Sequence, residues 1–200
     1  MAKLYCNLIT CITILIALTL QTNGQTITTG CGTTKTCLAY VGCGVEGAGT
    51  TNENIGTFTT SQSTTYFDFQ MTTTSAGWIG FGISRDRFMP QSEVYICYVG
   101  SGTAKLQSRY TTGRSQPPEN TETTFTLTSA TFTNGALRCK FTRNNVTVNN
   151  FDLNDSNGYY ILLAHGTTFF QYHGTGNRCP SVNNYALFSN DNNSTSTATT

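Results

Sequence analysis

The chain has 200 residues, with 11 Lys and Arg against 10 Asp and Glu, a formal net charge of +1, and only 10% charged residues. Without a basic patch or an acidic tract, nucleic acid is not an expected partner. The surface has to be covered by Thr, Ser, Asn and Gly, a composition typical of extracellular β proteins.

Residues 1–24 have the layout of a secretory signal peptide. Lys3 gives a basic start, Leu8 to Leu20 is an apolar run broken by Thr and Cys11, and Thr22 and Gly24 put small residues before Gln25. The run is too short and too rich in Thr for a membrane span. No second apolar run of spanning length follows, so the mature chain is expected to be secreted, extracellular and without a transmembrane segment. Residues 25–188 suit a single domain with a core of its own. Residues 189–200, all Asn, Asp, Ser, Thr or Ala, read as a disordered tail.

Cys6 and Cys11 leave with the signal. Cys31, Cys37, Cys43, Cys97, Cys139 and Cys179 remain, an even set that reads as disulfides with fifteen possible connectivities. A zinc site is disfavoured because Cys31, Cys37 and Cys43 lack the close pair that a tetrahedral centre prefers. Cys97 and Cys139 fall in predicted strands, and a bridge between them would tie a sandwich core. Four Asn-x-Ser/Thr acceptors, at Asn145, Asn154, Asn192 and Asn193, agree with export.

In chain order, residues 25–50 form a cysteine- and glycine-rich lead-in. Strands are predicted at Thr64–Met71, Trp78–Ile83, Val94–Val99, Thr124–Thr131, Ala136–Phe141 and Tyr159–Ala164, with another candidate at Phe169–Tyr172. Asn134-Gly135 is a strong hairpin signal. In the Trp78 strand, Ile79, Phe81 and Ile83 alternate with Trp78, Gly80 and Gly82. Two glycines on one strand face point to close approach by another group. No window has a helical stripe. Short strands separated by turn residues give an all-β sandwich or barrel.

Hydrolase chemistry has little support. His165 and His173 are the only histidines, and Gly82-Ile83-Ser84-Arg85-Asp86 is a strand end, not a nucleophile elbow. Asp152 to Gly158 resembles a calcium loop, but its glycine is one place late and Leu163 stands where the bidentate Glu belongs. It reads as a turn before the next strand. A non-covalent haem needs axial ligands, and Met with His is a pair that raises the potential. Met89, between two strands, and His173, in a glycine-rich segment after an apolar strand, have the right chemistry.

Taken together, these segments resemble a DOMON domain. The resemblance runs through Trp78-Ile-Gly-Phe-Gly-Ile-Ser84, Met89, Ser92-Glu-Val-Tyr-Ile-Cys97, Arg114 with Pro117 and Pro118, Leu137 to Arg143, and Tyr159 to Gly166. It covers roughly residues 28–185 and is nearest to the DOMON domain of animal ferric-chelate-reductase-like proteins. It implies an immunoglobulin-like β-sandwich. In haem-binding members a Met and a His ligate a b-type haem; the matching positions here are Met89 and His173, with His165 at a non-ligand position. Relatives often have Gly where Pro90 stands, and the nearby acidic residue is Glu93. Relatives also often carry a transmembrane cytochrome b module, which is not expected here.

Two functions follow as expectations. The first is a secreted electron-transfer module holding haem b through Met89 and His173, with Trp78, Gly80 and Gly82 against the macrocycle and a redox partner outside. The alternative is a cofactor-free extracellular module that binds carbohydrate or protein. A redox carrier or binding module is expected over a stand-alone enzyme, and no catalytic residue is singled out.

Overall fold

A computed structural model describes residues 27, 29–39, 54–61, 63–72, 77–113, 115–120, 125–147, 151–169, 178–180 and 185. Among them are ten strands: β1 (Thr36–Ala39), β2 (Asn54–Thr60), β3 (Thr64–Thr72), β4 (Trp78–Ser84), β5 (Glu93–Gly100), β6 (Thr103–Tyr110), β7 (Phe125–Thr133), β8 (Ala136–Asn144), β9 (Tyr160–Gly166) and β10 (Arg178–Pro180). They form two five-stranded sheets, in the orders β1-β2-β3-β8-β7 and β10-β9-β4-β5-β6. Neighbouring strands within each sheet are antiparallel. The expected all-β sandwich is therefore the observed fold.

The sandwich closes over side chains that alternate inward. Phe67, Phe69 and Met71 of β3 and Leu137, Cys139 and Phe141 of β8 meet Ile79, Phe81 and Ile83 of β4 and Tyr95, Cys97 and Val99 of β5. The rings of Phe67 and Phe141 stack with centroids 4.7 Å apart, and Phe81 meets Phe67 edge-on at 5.2 Å. Gly56 of β2 faces this cluster: a Cβ there would lie 2.8 Å from the Phe81 ring, so glycine is what lets that ring fill the centre. The Cys97–Cys139 disulfide joins β5 to β8 across the two sheets, as its strand positions suggested, and Cys31–Cys37 closes a short loop at the start of β1.

The six firmly predicted strands all form. Asn134 and Gly135 both take positive φ, 51° and 77°, the type I′ hairpin that their sequence signals. Ser101 and Gly102 make a second such turn between β5 and β6, at φ 53° and 74°. The strands that sequence reading passed over are β1, β2, β6 and β10, three of which are sheet edges. Edge strands need little apolar alternation, because one side and often one face meet water. Thr103–Tyr110, with Lys105, Gln107 and Arg109, is such a strand. Phe169 lies in a turn rather than a strand, and 170–172 fall outside the described residues. The signal segment, Cys43, His173, Asn192, Asn193 and the tail also lie outside them.

Candidate functional site

The outward face of the second sheet carries an apolar cluster of its own at its centre. Side chains opposite to the core-facing set give Trp78 on β4, Val94, Ile96 and Tyr98 on β5, and Ala164 on β9, packed as a separate cluster with Phe169 against it. Leu162 is also buried on this side. Register places Trp78 between Tyr98 and Gly166, Gly80 between Ile96 and Ala164, and Gly82 between Val94 and Leu162. Gly80 and Gly82 are thus the low floor of this face. A Cβ on Gly80 would sit 3.3 Å from the Trp78 ring; on Gly82 it would sit 3.1 Å from Val94 and 3.2 Å from Leu162.

Trp78 is buried on this outer face, not in the core between the sheets. Its indole lies over Gly166, where a Cβ would come within 2.4 Å of Nε1. That Nε1 is a buried donor without a hydrogen-bond partner among the described residues. The Phe169 ring stacks on Tyr98 with centroids 3.7 Å apart and planes 7° from parallel. Toward the β6 edge the face turns polar. Gln107 donates to the Tyr98 hydroxyl at 3.0 Å, and Arg109 donates to Gln107 at 2.9 Å and to the Pro117 carbonyl at 2.6 Å.

Met89 lies half-buried in the loop from β4 to β5, at the Ser84 end of the sheet, beside an exposed Phe88 (71% accessible). Residues 170–177, which include His173, join Phe169, stacked on the outer face, to Arg178, which pairs with Ala164. His165 pairs with Ile79, so strand alternation turns it to the inner side of the sheet, away from Gly80 and Gly82. The 152–158 segment is a turn: Asp155 N–H donates to the Asp152 carbonyl and Gly158 N–H to that of Asp155. Among the described residues no group of three or more His, Cys, Asp or Glu is placed to hold a metal ion. Asp155 pairs with Arg85, whose hydrogen bond holds the carboxyl below the usual range, and Arg85 also lies 4.6 Å over the Tyr159 ring.

Sequence reading missed the main electrostatic feature. Glu93, the first residue of β5, is fully buried and accepts from Arg143 Nε and Nη2, both at 3.0 Å, and from the Tyr95 hydroxyl. Arg143 also donates to the carbonyls of Asn144 at 2.8 Å and Phe151 at 2.9 Å. Burial alone would lower the Arg143 pKa; the Glu93 carboxylate outweighs it and raises it. Burial pushes the Tyr95 phenol well above its ordinary value. The signal available was a lone Glu opening an apolar strand. Asn145 is likewise interior, at 1% accessibility: its amide donates to the Ser61 carbonyl at 3.1 Å and accepts from Thr65 at 2.8 Å. A glycan on that nitrogen would have to leave from a residue at 1% accessibility, so the expectation of an acceptor at Asn145 does not fit its place in the fold. Asn154 is exposed.

The DOMON domain family model matches residues 50–166, more than half of the chain. Human ferric-chelate reductase 1 is 35% identical over 101 residues, which cover 48% of this chain and 17% of that protein; the mouse protein is 34% identical over the same length. The chain thus spans about a sixth of the length of these relatives. Among solved structures, the cytochrome b domain of pyranose dehydrogenase from Coprinopsis cinerea aligns with a TM-score of 0.47 at 19% identity, covering 58% of this chain and 64% of that one. The cytochrome domain of Myriococcum thermophilum cellobiose dehydrogenase aligns with a TM-score of 0.45 at 12% identity, covering 57% and 62%. Among the described residues no helix is long and apolar enough to cross a membrane.

Proposed function

Since this chain belongs to the DOMON domain family, we propose that it is a secreted electron-transfer module that holds a b-type haem against the outer face of its second sheet. Met89 and His173 are the axial ligands in this reading. The observation that carries it is the buried Trp78 N–H without a partner among the described residues, set in an apolar face floored by Gly80 and Gly82. Such a face suits a flat apolar molecule with hydrogen-bond acceptors at its rim. Haem answers to that description, having a macrocycle and two carboxylate side chains. Trp78, Val94, Ile96, Tyr98, Leu162 and Ala164 would exclude water from the macrocycle, Gly80 and Gly82 would let it lie close, and the Trp78 N–H would meet an acceptor.

When bound, the haem supplies the one-electron chemistry, and the chain supplies ligands and a low dielectric. Ferric chelates are a reasonable class of redox partner, because the relatives over the matched segment are ferric-chelate reductases. The two disulfides among the described residues support an oxidising, extracellular setting. The second reading, a cofactor-free module for carbohydrate or protein, is favoured by one observation, the exposed ring of Phe88.

Haem titration of the purified protein, followed by absorption, separates the two. Binding should give a six-coordinate low-spin spectrum. Replacing His173 should weaken or abolish it, Met89→Ala should leave haem bound at a lower potential, and His165→Ala should do little. No Soret shift on adding haem would favour the cofactor-free module, and loss of haem in His165→Ala alone would move the axial role to that residue.

A further inference from the structure

Four hydrogen bonds run from one residue to the turn that carries Met89. Thr111 follows the last residue of β6 and is 1% accessible. Its hydroxyl has the Met89 carbonyl, and the Ser92 carbonyl at 3.2 Å, as acceptors for its one proton, and it accepts the Ser92 N–H at 2.9 Å. Its own N–H donates to the Ser92 carbonyl at 2.9 Å, and its carbonyl accepts the Gln91 N–H at 2.6 Å. Between these anchors Pro90 has no N–H to satisfy. Gln91 takes φ 61°, in the left-handed region that a non-glycine residue occupies only when its surroundings enforce it.

The approach to Met89 is fixed from the other side. Ser84 donates through Oγ to the Phe88 carbonyl at 3.1 Å, Ser92 does so at 3.3 Å, and the Phe88 N–H donates to Asp86 at 2.8 Å.

We propose that Thr111 is the positioning residue of the haem site: it clamps the Met89–Ser92 turn so that Met89 is presented in one conformation before any ligand arrives. The inference rests on the haem reading above and deepens it. A ligand held in place beforehand loses little conformational entropy on binding, and this matters most for a thioether, the weaker of the two axial donors. Tyr110 ends β6, paired with Glu93, so the clamp ties the ligand turn to the rigid sheet.

The test uses Thr111→Val, which keeps the shape and removes the hydroxyl, and Thr111→Ser, which restores it. In the haem-free full chain, amide exchange at Ser92 should be about tenfold faster in Thr111→Val, the factor expected for one lost hydrogen bond of ordinary strength, and near normal in Thr111→Ser. In the haem-loaded chain, Thr111→Val should show partial high-spin character and a lower potential, with Thr111→Ser close to the parent. Unchanged Ser92 exchange in Thr111→Val overturns the clamp whatever haem does. Faster exchange with an unchanged spectrum and potential, in a protein where Met89→Ala alters both, overturns the positioning role alone. If Met89→Ala alters neither, the axial assignment of Met89 fails and the role of Thr111 toward it fails too, while the exchange result still reports whether Thr111 shapes the turn.

Discussion

Arg143 brings a full positive charge into the interior and meets Glu93 there, both side chains at 1% accessibility or less. A buried pair repays its desolvation only when the geometry is good and the remaining donors are used. Here the guanidinium is spent on Glu93 and on the carbonyls of Asn144, Val146 and Phe151, so the pair locks β5, β8 and the chain after β8 into one arrangement. Removing one partner strands the other: Glu93→Gln or Arg143→Met should destabilise by about 3–5 kcal/mol, measured by urea denaturation, whereas the double change should cost less than the two singles added. Additive losses would mean that the pair is not coupled. Trp78 is the opposite case, a polar atom left over. Trp78→Ala should cost roughly 3–5 kcal/mol in the haem-free protein, since a large ring is lost from a packed face. Trp78→Phe should cost much less, because it also removes a buried donor that has no acceptor among the described residues. If Phe were as costly as Ala, the indole nitrogen would have a partner outside the described residues.

At the scale of elements, the two disulfides staple different things. Cys97–Cys139 closes a separation of 42 residues and joins β5 to β8 across the core, whereas Cys31–Cys37 closes 6 residues beside an edge strand. Loop-closure entropy alone gives about 4 kcal/mol for the first and about 2 kcal/mol for the second. Replacing both cysteines of the first pair with Ala should therefore lower the thermal midpoint clearly more than the same change in the second pair, by calorimetry. An equal effect would show that strain or residual structure, not closure length, sets their value. Arg85, in the loop after β4, reaches Asp155 in the turn before β9 and lies over the Tyr159 ring, so the ligand loop is held both by Thr111 and by this contact.

At the scale of the whole molecule, both sheets bury side chains on their outward sides, but the second sheet carries the larger apolar cluster, while the first buries Ile55 with Ile27 in a small separate one. The outward side of the first sheet carries Asp68 paired with Arg138 and an exposed Tyr66, as expected of a face that meets water. The outward side of the second sheet carries Trp78, Ile96 and Tyr98. These side chains are buried with no ligand present, so the protein itself covers much of this face. A ligand that binds against it binds only the folded chain, so adding haem should raise the thermal midpoint with the logarithm of ligand excess over Kd; an unmoved midpoint would mean that haem does not bind the folded chain. The sequence by itself determined the strands at the centre of each sheet, the Asn134-Gly135 hairpin and the glycine face of β4, because period-2 alternation and turn chemistry are local. Its order of motifs also pointed to the family. Only the tertiary structure decided β2 and the edge strands β1, β6 and β10, the last three shaped by water on one side. It alone paired Glu93 with Arg143, fifty residues away in sequence, turned Asn145 inward, and placed Thr111 on the Met89 turn. Each of these depends on which strands become neighbours, and hydrogen bonds between residues far apart in the chain leave no periodic trace along it.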